Sequence, residues 1–131
     1  MALHTERFEL AREQFGKALA RLHEALEADE SAMVRDALIQ RFEFTYELGW
    51  KSMFYWLRVQ GESVPEMAKP VIQAAFRCGL ISGADVWEQI KDNRNETSHT
   101  YNELMAVKVV SFVRAHAVAA FDALQVKLQA L

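Results

Sequence analysis

The run RNETSHTY, Arg94 to Tyr101, places an arginine, a histidine and a tyrosine close together in a chain otherwise patterned for helices. Arginine keeps its charge at any physiological pH and holds two oxygens of an anion in one planar fork. Histidine exchanges a proton near neutral pH, where no other unperturbed side chain does. A cation, a proton carrier and a phenol therefore meet at one point of the chain.

Spacing alone is a weak signal. With nine arginines and four histidines, an Arg-x4-His match arises by chance about a quarter of the time. The apolar pattern places the run where one helix ends and the next begins. Trp87, Ile90 and Arg94 step by three and four residues, which puts Arg94 on the apolar face of its helix. An arginine there needs an anionic partner or an open cleft, because burying it unpaired is costly. His99 follows as that helix ends and can fold back toward it. On the residues alone two readings stay open. One is an active site; the other is a connector, with Arg94 on the helix's C-terminal carbonyls and Asn102 capping the next helix.

Other chemistries find little support. No GxxxxGK[ST] or GxGxxG loop is present, so no phosphate cradle of those kinds is expected. HExxH and CxxC are absent, and no zinc site is expected. Glu43 and Glu47 stand one helical turn apart beside Lys51 and read as a surface pair, Glu47 with Lys51. No ExxH spacing accompanies them, so a metal is not expected. His4 reads as part of a frayed terminus, and His23 and His116, each in a long helix, as solvated or satisfied within the packing. The lone Cys78 reads as a small buried residue near a helix end.

The elements that must carry the run follow from periodicity. The first helix is expected from Glu6 to Glu27, with Phe8, Phe15, Leu19, Leu22 and Leu26 on one stripe. The second is expected from Ala32 to Gln60, capped by Ser31 and stopped by Gly61. It holds seven of the chain's fourteen aromatic residues between Phe42 and Trp56, too many for one face. Such a helix either sits centrally in a bundle or also lines a subunit interface. A short third helix starts near Pro70 and ends by Gly79, and a fourth spans about Ala84 to Glu96. The last starts around Asn102 and runs nearly to Leu131. One all-α, up-and-down bundle over residues 1–131 accounts for the pattern.

A net charge of −3 argues against a broad basic surface gripping duplex DNA. No apolar run approaches the ~20 residues that span a bilayer. The charged first residues lack the apolar segment of a signal peptide, so a cytoplasmic protein is expected.

The full spacing Arg94-Asn95-x-x-x-His99-x-Tyr101 resembles the signature of HEPN domains, in the form found in HepT-like toxins. Independently, IQRFEFTYELGWK, Ile39 to Lys51, resembles the second helix of nucleotidyltransferase substrate-binding proteins, a branch of the same superfamily. The resemblance covers nearly the whole chain. It implies a helical bundle that dimerises, with the motif in a cleft between protomers. It also implies a partner encoded nearby, a minimal nucleotidyltransferase of the MntA kind. In HepT-like members the activity is a metal-independent ribonuclease without cofactor. By that resemblance Arg94 and His99 are catalytic, Asn95 supports the site and Tyr101 accepts AMP from the partner. The branch implies an alternative, a non-catalytic subunit that binds substrate or nucleotide for the nucleotidyltransferase.

Overall fold

The computed structural model describes residues 2–99 and 102–131, and the side chains of all of these except Ala2 and His99. Five helices lie among them: α1 Ala2–Glu27, α2 Ala32–Val59, α3 Ala68–Arg77, α4 Ala84–His99 and α5 Glu103–Gln129. The expected helical bundle is what forms. Thr100 and Tyr101 lie outside the described residues.

Local chemistry sets the ends of α2. Ser31 sits in extended conformation and its hydroxyl accepts from Val34 N–H at 3.1 Å, as an N-cap should. At the other end Gly61 takes φ 84°. Gly61 N–H then reaches Arg58 O at 3.0 Å and Glu62 N–H reaches Leu57 O at 2.9 Å, satisfying two carbonyls the helix leaves open. A Cβ at Gly61 would meet nothing within 4 Å. Gly61→Ala therefore costs only the strain of the left-handed backbone, about 1 kcal/mol. Urea unfolding should show that loss as a lower midpoint with unchanged slope.

The central helix is α2, which touches each of the other four. That position accounts for its aromatic content. Phe42, Tyr46, Trp50 and Phe54 are buried, Tyr55 and Trp56 are half-buried, and Phe44 alone of the seven is mostly exposed, at 57%. The ring cluster of the core is built around Phe121 of α5, whose centroid lies 5.5 Å from Trp87, 6.1 Å from Phe42 and 6.2 Å from Phe15. Gly49 makes room for it. A Cβ there would stand 3.2 Å from Phe15 and 3.4 Å from Trp87, so α1, α2 and α4 converge on a position without a side chain.

By length and composition α5 is the one described helix that could cross a membrane. Its apolar residues are used otherwise: Val110, Val113, Ala117, Phe121, Leu124 and Leu128 are buried in the bundle. Between Val113 and Ala117 the helix widens into one π turn. Val113, Ala117 and Phe121 are spaced by four, and the wider turn keeps all three on the inner face. Arg12 of α1 closes the end of this helix, donating from Nη1 to Leu128 O at 2.8 Å.

Two local expectations give way. Cys78 is exposed, because it caps α3 at the surface rather than lying beneath it. Partial desolvation and then its bond to Glu62 at 3.4 Å raise the thiol's pKa, leaving little thiolate at neutral pH. The fourth helix also runs on past Glu96 to His99.

Candidate active site

The extension of α4 comes from the motif's own polar side chains. Thr97 Oγ1 lies 2.7 Å from the Arg94 carbonyl, and Arg94 Nη1 donates to Ser98 Oγ at 2.6 Å, one turn ahead. These bonds replace the apolar anchors that the segment lacks. The first six residues of RNETSHTY are thus helical rather than a connector, with positions 94 and 99 on the same helix. The side chain of His99 lies outside the described ones, as does Tyr101.

Arg94 faces α2, on the same side of α4 as buried Trp87 and Ile90. Its Nη1 donates to Glu43 Oε2 at 3.1 Å, and its Nε stands 3.6 Å from Glu47 Oε1. Thr97 donates to the same Glu43 oxygen at 2.6 Å or to the Arg94 carbonyl, having one proton for the two. Glu47 in turn accepts from Trp50 Nε1 at 3.0 Å. The guanidinium is thereby fixed by two carboxylates of one helix and a hydroxyl of its own. About a quarter of the Arg94 side chain stays open to solvent.

Glu43 and Glu47 are the residues whose role the sequence reading missed. Glu47 turns to Trp50 and Arg94, while the Lys51 ammonium lies 5.9 Å from the Trp50 ring centroid. The signal was present: an inward arginine demands an anion, and a pair of carboxylates one turn apart on the most aromatic helix supplies it. Asn102 does cap α5, its Oδ1 accepting from Met105 N–H at 2.8 Å. Arg94 goes to side chains of α2 rather than to the carbonyls of α4. Asn95 points to solvent.

Beneath Arg94 lies a buried phenol. Among the described residues Tyr46 Oη has no hydrogen-bond partner, and neither does Arg94 Nε. Burial first, and then the negative charge of Glu47, push the Tyr46 pKa up, so it is neutral throughout the physiological range. Tyr46 packs against Trp87, centroids 6.5 Å apart, and supports the site from below.

Removing the clamp has a measurable cost. Glu43→Ala leaves Arg94 and Thr97 without their shared acceptor and should destabilise the fold by about 1–2 kcal/mol in urea. Glu43→Gln keeps an acceptor oxygen and should cost less than half of that.

His23, expected to be solvated or satisfied within the packing, bonds Asp122 of α5 at 2.7 Å and takes no part here.

Comparison with known proteins agrees with this architecture. A family model described as "Nucleotidyltransferase substrate binding protein like" matches residues 10–130. The probable ribonuclease HepT of Haemophilus influenzae is 35% identical over 88 residues, 61% of this chain and 60% of that protein. The match thus spans about three fifths of that curated relative. A crystal structure of a Thermus thermophilus protein is 36% identical, with TM-score 0.72 over 88% of this chain and 96% of that one. The tri-AMPylated HEPN toxin of Shewanella oneidensis, solved in complex with MNT antitoxin, shares the fold. Its TM-score is 0.76 at 18% identity, over 95% of this chain and 97% of that one.

Proposed function

Because the chain belongs to the nucleotidyltransferase substrate-binding protein family, on the HEPN and HepT-like side of helical bundles, we propose that it is the metal-independent ribonuclease of a two-gene toxin–antitoxin pair. Its antitoxin would be a minimal nucleotidyltransferase of the MntA kind. The observation that carries this reading is the setting of Arg94, an oriented arginine with part of its surface open, in the motif that the HepT-like resemblance marks as catalytic.

The chemistry is a transesterification within RNA. The 2′-hydroxyl attacks the adjacent phosphorus as a histidine removes its proton. The bond to the 5′-oxygen breaks, and that oxygen takes a proton from a second acid. A 2′,3′-cyclic phosphate and a 5′-hydroxyl end result. The unperturbed histidine pKa of ~6.5 suits both transfers at neutral pH. Arg94 holds the phosphate oxygens as their charge grows, which favours the transition state over the ground state. One protomer carries one motif histidine, so a homodimer that brings two His99 residues together would supply base and acid at once. Asn95, next to Arg94, would support the phosphate from the solvent side. AMP on Tyr101 would fill the cleft and set a phosphate beside Arg94, switching the site off. Such a protein works in the cytoplasm, where its RNA is.

A second reading has the family description behind it: a non-catalytic subunit that binds substrate or nucleotide for the nucleotidyltransferase. Expression of the chain alone separates the two. A ribonuclease toxin arrests growth, and His99→Ala relieves the arrest; a binding subunit is harmless in both forms. DNA, lacking the attacking hydroxyl, should remain intact under conditions where RNA is cut.

A further inference from the structure

The face that α1 and α2 turn to solvent carries charge of the opposite sign to the chain as a whole. Two adjoining grooves of about 380 and 350 Å³ run between these helices and share Gln14 and Leu48, so they form one trough. Five cations line it, Arg7, Lys17, Arg21, Arg41 and Lys51, and no carboxylate among the described residues does. The chain's net charge is −3. Two of the five pair with carboxylates outside the lining, Lys17 with Glu13 at 3.4 Å and Arg41 with Glu24 at 3.7 Å. Exposed pairs of this kind are weak and yield readily to a stronger anion.

Between the cations the floor is apolar and aromatic. Phe44 is the outlier of the α2 aromatic set, its ring mostly in water, and half-buried Leu48 and Tyr55 continue its stripe. Phe44 stands clear of the core, while Leu48 and Tyr55 pack against it and turn their open sides to the trough. Cations that follow a backbone, alternating with rings on which bases stack, are the requirements for holding a single nucleic-acid strand without regard to sequence. A second copy of this chain fits poorly, since a two-fold contact would set the cationic trough against itself.

We propose that this trough is the path by which single-stranded RNA reaches Arg94. The proposal rests on the ribonuclease reading above and adds the surface that presents the substrate. The connection lies in α2. Phe44 and Leu48 directly follow Glu43 and Glu47 in the chain, about 100° further around the helix. The same two turns therefore hold Arg94 on one side and wall the trough on the other. A strand lying on Phe44 has one helix to cross.

The test uses the whole protein and a fluorescein-labelled single-stranded RNA carrying 2′-O-methyl groups, which binds but has no hydroxyl with which to be cleaved. Anisotropy is read across a potassium chloride series. Phe44→Ala should weaken binding about tenfold through lost stacking. Arg21→Ala with Lys51→Ala should flatten the logarithmic salt dependence by roughly 1.4, about 0.7 for each cation. Phe44 and Arg21 are exposed and Lys51 is half-buried, and circular dichroism checks that the fold persists. Wild-type affinity and salt slope in these variants would overturn the proposal. So would poly-glutamate binding as tightly as the RNA, which points to an acidic protein partner, or variants that change the sedimenting mass, which points to a contact between copies. If ordinary RNA is cleaved in EDTA and the trough variants bind normally, only the trough is refuted. If wild type neither binds the methylated RNA nor cleaves ordinary RNA, the ribonuclease reading falls with it.

Discussion

Arg94→Lys is expected to lower RNA cleavage about a hundredfold or more, although it preserves the charge, and Arg94→Ala by about a thousandfold. The reason is geometric. Arg94 is held by Glu43 and Ser98 through Nη1 and faces Glu47 through Nε, two nitrogens of one rigid plane. An ammonium has no such plane and cannot keep those contacts while also gripping a phosphate. The clamp also explains why the arginine tolerates its place on an apolar helix face, since two carboxylates offset its desolvation. Single-turnover cleavage of a short RNA in EDTA reads the effect. A lysine variant as active as wild type would mean that charge alone suffices and that the clamp has no catalytic role.

The largest expected effect on stability is at Phe121. Its ring meets Phe15, Phe42 and Trp87, one partner from each of α1, α2 and α4. Phe121→Ala removes a fully buried ring from that junction and should cost about 3–5 kcal/mol. Against a total stability of about 5–15 kcal/mol, this brings the fold near its limit. Phe44→Ala is the matched contrast, the same substitution on an exposed ring, and should move the urea midpoint by no more than about 0.5 kcal/mol. Equal losses at the two positions would contradict the assignment of Phe121 to the core and Phe44 to the surface.

These two phenylalanines show how far the sequence could be read. The aromatic excess of α2 correctly implied more than one covered face, and Ser31 and Gly61 marked that helix's ends because caps are local chemistry. Which ring faces water was not legible, since it depends on where α1 and α5 come to lie. The end of α4 was missed for a related reason. NETSH has no apolar period, and it stays helical through side-chain bonds from Arg94 and Thr97 that a hydrophobic pattern does not register. The π turn in α5 left only a trace, the two consecutive steps of four from Val113 to Phe121. Arg94's need for an anion was legible. Its partners were not, because Glu43 and Glu47 looked complete beside Lys51 and lie some fifty residues away in the chain.

The central claim is that Arg94 and His99 cut RNA without a metal. Its most direct test incubates purified wild-type protein and His99→Ala, both free of AMP by mass spectrometry, with a defined tRNA in EDTA, and maps the product ends. Wild type should leave 2′,3′-cyclic phosphate and 5′-hydroxyl ends, and His99→Ala should leave the tRNA whole. An intact tRNA with both proteins, or cleavage that chelator abolishes, would contradict the claim.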